Sequence, residues 1–106
     1  MTRPLTVRER EVLDALLSTD LDGATELRRQ ARRAVVTSAC GCGCPSIDFR
    51  TGTEMRVMVN ATVVDSTDSL FLYTLDGELG GIEWVGVSDD RPTELPEPSR
   101  LEISPA

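Results

Sequence analysis

Histidine and lysine are both absent from this chain of 106 residues. Without histidine, neither a Ser-His-Asp nor a Cys-His catalytic arrangement can be built within one chain, and the helical zinc-protease signature has no ligands. The protein-kinase motifs, G-x-G-x-x-G and G-x-x-x-x-G-K-[ST] are missing as well. With lysine absent, all 11 cations are arginine, which reflects coding composition rather than function. Aromatic side chains are scarce, with two Phe, one Tyr and one Trp. No apolar run approaches the ~20 residues that cross a bilayer. The opening Met-Thr-Arg-Pro-Leu-Thr-Val-Arg-Glu-Arg-Glu is charged where a secretory signal needs an apolar stretch. These absences predict a non-enzymatic, cytoplasmic protein with reduced thiols and no membrane partner.

What is present is a surplus of acid. Residues 1–36 carry seven arginines against six carboxylates, and residues 37–106 carry four against twelve, which leaves the chain at -7. A surface of that sign repels phosphates, so no nucleic acid partner is expected. The length suits one domain spanning 1–106, large enough to bury a real core without disulfides.

The chain divides at the segment Val35 to Ile47, with helical periodicity before it and strand periodicity after it. Thr6 and Glu9 have the capping-box spacing, so a helix over about 7–18 is predicted, with Val12, Leu13, Leu16 and Leu17 on one stripe. Asp22 beside Gly23 offers a second N-cap, and Ala24, Leu27, Ala31, Ala34 and Val35 recur at spacings of three and four. A second helix over about 23–35 follows, forming an αα-hairpin with the first. Its Arg28, Arg29, Arg32 and Arg33 form a basic stripe, read as a solvated face complementing the helix dipole.

Beyond the joint, Ile47, Phe49 and Thr51 alternate with polar residues, giving a strand over about 46–51. The odd-numbered positions from Met55 to Val63 are all apolar, giving the most regular strand, over about 55–65. Asp76-Gly77 is a type I′ turn signal between strands over about 70–75 and 79–87. Gly80 and Gly81 mark a bulge or a close backbone approach. Phe71 and Tyr73 share one face of this hairpin, read as core; Trp84 lies on its return strand. The prolines after Ser88 predict an extended tail over 89–106, pinned by Leu95, Leu101 and Ile103. The paired carboxylates Asp65 with Asp68 and Asp89 with Asp90 read as turn chemistry. The expected architecture is α+β: an N-terminal αα-hairpin packed on a four-stranded, mainly antiparallel sheet, with the strand from Met55 at its centre.

No catalytic residue and no cofactor-binding motif emerge. The one unusual cluster is Cys40, Cys42 and Cys44, all within five positions. On an extended backbone these thiols share one side, about 6.6 Å apart, near the limit for a disulfide. If the glycines bend the chain, three thiolates could converge on Zn or Cu(I), with Asp48, another carboxylate or a second protomer as fourth ligand. The alternative is three small buried hydrophobes. Parity also bears on the cysteines: either they lie away from Ile47 and Phe49, or a kink at Pro45 reverses the phase.

The succession of a capped helix, Leu27-Arg28-Arg29-Gln30, the Cys/Gly segment leading to Ser46-Ile47, Asp76-Gly77-Glu78-Leu79-Gly80-Gly81-Ile82-Glu83-Trp84 and Leu95-Pro96-Glu97-Pro98 resembles a group of small uncharacterised bacterial domains, mainly of actinobacterial type. The resemblance covers most of the chain and implies a fold without implying chemistry. Small acidic bacterial domains also include immunity proteins that neutralise basic toxins, an analogy of size and charge. The leading expectation is a module that binds another protein through an acidic sheet side, with a homodimer also compatible. The alternative is a thiolate metal-binding or redox site built on Cys40, Cys42 and Cys44.

Overall fold

Helix α1 (Val7–Leu17) begins where the sequence marks it. Thr6 Oγ1 accepts from the Glu9 N–H at 3.1 Å, and the Glu9 carboxylate accepts from the Thr6 N–H at 2.9 Å. Arg3 adds a two-pronged contact to the same carboxylate, at 2.8 and 2.9 Å, from a short strand that the sequence pattern missed. That strand, β1 (Arg3–Pro4), pairs antiparallel with β2 (Val35–Val36). A computed structural model describes residues 2–39, 44–86 and 92–106 of the chain.

Helix α2 (Ala24–Ala31) is shorter than its periodicity suggested. Its N-cap is Gly23, at φ 77°, and not Asp22. At its other end the apolar spacing continues through Ala34 and Val35, but the β-branched run Val35-Val36-Thr37 favours extended backbone. Val36 is consequently drawn into the core at 2% exposure as part of β2.

Among the described residues the main sheet has six strands, not four: β3 (Ser38–Ala39), β4 (Ile47–Asp48), β5 (Met55–Val63), β6 (Ser69–Leu75), β7 (Glu78–Val85) and β8 (Leu101–Pro105). Their order is β3-β4-β7-β6-β5-β8, and every pairing is antiparallel. The Met55 strand therefore lies next to the edge, and the centre belongs to the β6–β7 hairpin. Asp76 at φ 52° and Gly77 at φ 84° close that hairpin as expected of the Asp-Gly pair. The expected extended tail is instead a 3₁₀ turn, Pro98–Arg100, followed by β8 against β5. Its prolines delay the strand but leave 101–104 free of proline, and Ile103 and Leu101 sit opposite Ala61 and Val63.

One core lies between the helices and one face of the sheet. Val12, Leu13, Leu16, Leu17, Leu27 and Ala31 pack with Val59, Ala61, Val63, Leu70, Leu72, Ile82 and Leu95. The β5 alternation does not hold along its whole length. A register shift between Val57 and Val59 leaves Met58 as the extra residue, so Val57 pairs with Tyr73 while Val59 pairs with Leu72. Met55 and Val57 are turned to the sheet's second face, at 48% and 36% exposure. Of the odd-numbered positions only Val59, Ala61 and Val63 belong to the core, and the extra residue Met58 packs against it.

Val59 is fully buried and its neighbour Asn60 is exposed. Val59→Ala should cost roughly 1–3 kcal/mol through lost transfer and a cavity. Asn60→Ala should stay within about 0.5 kcal/mol. Paired urea titrations check this; a larger loss from the Asn60 change would mean that the second face is covered.

Candidate functional site

Two adjacent cross-strand rows point in opposite directions. Ile47, Ile82, Leu72 and Val59 are register partners across β4, β7, β6 and β5, and all face the helices. One residue away, Asp48, Gly81, Tyr73 and Val57 are partners on the other face. That open face also carries Glu83, Phe71 and Asn60 in the next row, and Glu78, Leu75 and Met55 beyond the hairpin bulge. Phe71 and Tyr73 thus do share a face, but it is the one opposite the main core.

Tyr73 is nevertheless only 5% exposed. Its ring lies flat where side chains of β7 would otherwise stand. A Cβ on Gly80 would come within 2.8 Å of the ring, and one on Gly81 within 2.5 Å of the hydroxyl and 2.4 Å of the Ile47 carbonyl. The register of β6 and β7 shifts between Tyr73 and Thr74, so the glycine pair marks both a bulge and a close approach. Phe71 meets Tyr73 edge to face, with centroids 6.0 Å apart and planes at 62°.

The Tyr73 hydroxyl donates to Asp48 Oδ1 in a short hydrogen bond, and Ser38 Oγ donates to Asp48 Oδ2 at 2.7 Å. One carboxylate therefore ties β3, β4 and β6 together. Burial, and next the hydrogen bond to Asp48, push the Tyr73 phenol up, so it stays protonated. Glu83 lies on the same face, and its carboxyl is held above the usual glutamate range, first by desolvation and then by the charge of Asp48, against a hydrogen bond from Ser46. Ser46 is buried, and its Oγ also accepts from the Trp84 N–H at 2.8 Å. Neither Asp48 nor Glu83 has an ion pair among the described residues. Asp48 and Glu83, with Phe71, Tyr73, Met55 and Leu75, line a hollow of about 520 Å³. Arg50 stands on its rim, held by Glu78.

Of the cysteine cluster, Cys40 and Cys42 lie outside the described residues, as do Asp89 and Asp90. Cys44 is half-buried against the core, and its Sγ donates to Ser46 Oγ at 3.5 Å. The chain bends at Pro45, and Pro45, Ser46 and Ile47 are all buried. Among the described residues no group of three His, Cys, Asp or Glu side chains is placed to hold a metal.

Of the basic stripe, Arg28 serves a helix end, and Arg10 on α1 does the same for α2. Arg28 Nε donates to the Leu17 carbonyl at 2.7 Å, and Arg10 donates to the Ala31 carbonyl. Each is the last residue of a helix, where backbone acceptors have no partner within the helix. Arg29 pairs with Glu26 at 2.7 Å, and Arg32 and Arg33 stand exposed beyond the end of α2. A larger hollow of about 720 Å³ lies between α1 and the tail. Its main cation, Arg8, is occupied by Glu94 at 3.2 Å, Glu97 at 3.7 Å and the Leu95 carbonyl at 3.0 Å. Among the described residues no helix is long and apolar enough to cross a membrane.

Two measurements check this geometry. Gly80→Ala should cost roughly 1–3 kcal/mol by overpacking against the Tyr73 ring. In a Tyr73→Ala background the same change should cost at least about 0.5 kcal/mol less, a coupling that a double-mutant cycle in urea reads directly. For Glu83, a raised folded pKa means that its contribution is fully present below the ordinary value of 4.5 and is lost as pH rises through the folded value. The stability of Glu83→Gln relative to the unaltered protein should therefore improve between about pH 4 and about pH 7. A constant difference would show that Glu83 is not perturbed.

Comparison with protein-family models, with curated proteins and with solved structures finds no match to this chain. Its functional reading therefore stands on the open sheet face alone.

Proposed function

We propose that this chain is a non-enzymatic module that binds a basic protein partner through the open face of its sheet. The observation that carries the reading is the row Asp48, Gly81, Tyr73 and Val57 with its flanking rows. There, partly exposed apolar side chains, Met55 at 48% and Val57 at 36%, stand beside two carboxylates that have no ion partner among the described residues. Binding surfaces combine aromatic and Met anchors with a charged surround, and complementary charge sets the choice of partner and the rate of encounter. The charge of -7 supports a basic partner over a second copy of the same acidic face. An immunity-type role, neutralising a basic toxin by surface complementarity, fits such a module.

The test is affinity capture from cells that make the protein, using three forms of the bait. Val57→Asp with Phe71→Ser alters the open face, while Glu11→Gln alters an exposed position on α1 that pairs with Arg8, away from the sheet. A specific partner should bind the unaltered and Glu11→Gln forms and lose at least about tenfold in affinity, or 1.4 kcal/mol, to the double variant. A partner that binds the double variant equally well, with its fold intact by circular dichroism, would place the interaction elsewhere.

A further inference from the structure

We infer that the hollow beside Tyr73 is the seat of a single arginine side chain from the partner, with its guanidinium against Asp48 and Glu83 and its stem along Phe71, Met55 and Leu75. The inference rests on the protein-binding reading above and names the group that this face recognises. The hollow's volume, about 520 Å³, falls within the roughly 300–1,000 Å³ of sites that enclose small groups.

Charge identifies the occupant. The hollow is lined by two carboxylates and one guanidinium, and that guanidinium, Arg50, is taken by Glu78 outside the hollow. Asp48 and Glu83 are left close enough to repel each other, half-buried and unneutralised by any described cation. Their printed partners are neutral hydroxyls: Tyr73 and Ser38 on Asp48, and Ser46 on Glu83. Each hydroxyl uses only part of a carboxylate's capacity, which is about four lone-pair sites. An entering cation would relieve the repulsion and take the remaining acceptors.

Geometry favours arginine over lysine. Two carboxylates from neighbouring strands line the one hollow, and together they offer more acceptors than one group needs, which suits a planar fork of five donors better than a compact ammonium. Phe71 is half-buried, so part of its ring is open to a cation, and guanidinium is the more common partner of such rings. The walls also cannot drift, because Tyr73 is wedged over Gly80 and Gly81 and Asp48 is held from two sides. A preformed acceptor set loses less entropy on binding.

The test is a titration of isotope-labelled protein, followed by backbone amide resonances, with three capped tripeptides: acetyl-Gly-Arg-Gly-amide and its lysine and citrulline counterparts. The arginine peptide should give saturable shifts confined to Asp48, Phe71, Tyr73, Glu83 and their neighbours. The citrulline peptide, which keeps the shape but loses the charge, should bind at least about tenfold more weakly, a difference of 1.4 kcal/mol. Glu83→Gln, whose unaltered spectrum elsewhere reports an intact fold, should weaken the arginine peptide by a similar factor. Equal binding of arginine and citrulline peptides, shifts only outside the hollow, or lysine binding as tight as arginine would each overturn the inference. A captured partner that needs Val57 and Phe71 but is indifferent to Glu83→Gln would overturn the arginine seat and leave the protein-binding reading standing. Arginine-peptide binding without any partner on the sheet face would do the reverse.

Discussion

The row Ile47, Ile82, Leu72 and Val59 is the constraint on which the rest of the molecule depends. These four side chains, at 2%, 0%, 0% and 0% exposure, are contributed by four neighbouring strands and meet the helices together. Each burial is worth about 1.5–3 kcal/mol, and a slip of one residue in a strand would turn its share to the opposite face of the sheet. The register is thereby fixed across the sheet. With it is fixed the adjacent row on the opposite face, where Asp48, Tyr73 and Val57 are brought together. The open face is thus positioned by the core, although none of its members belongs to the main cluster.

Two irregularities shape what the open face presents. The extra residue at Met58 turns Met55 and Val57 outward, supplying apolar surface that a regular strand would have buried. The shift at Tyr73 and the absence of side chains at Gly80 and Gly81 let an aromatic ring lie against the backbone. Its hydroxyl then reaches Asp48. The result is a shallow wall with a desolvated carboxylate pair at one end, which costs stability at neutral pH through Glu83.

Charge is handled differently at the two ends of the fold. Near the helices every buried or half-buried ion has a partner: Glu9 holds Arg3, and Arg8 meets Glu94 and Glu97. Arginines 28 and 10 satisfy the terminal carbonyls of the neighbouring helix. Arg3 and the capping bonds hold the Glu9 carboxyl below its usual range, and at this end electrostatics are complete within the chain. On the open face, Asp48 and Glu83 have no ion pair among the described residues.

Local signals in the sequence determined the features whose causes are local. Thr6 with Glu9 specified the helix start and Asp76-Gly77 the hairpin, because each acts over a few residues. The α+β character and the buried helix stripe also followed from periodicity. Counting outward from the two-residue turn brings Tyr73 against the Gly80-Gly81 pair, so part of the site was legible too. The tertiary structure alone decided the rest. Ala34 and Val35 continue the helical period, yet pairing with Arg3–Pro4 draws this stretch into a strand. The apolar run Met55, Val57, Val59 shows no break at Met58, because hydrophobic residues on both sides of a bulge read as one alternation. The tail became a strand because β5 had an unpaired edge to offer. Asp48 and Glu83, 35 positions apart in the chain, became neighbours only through strand order, since spacing along a sequence carries no record of which strands will lie side by side.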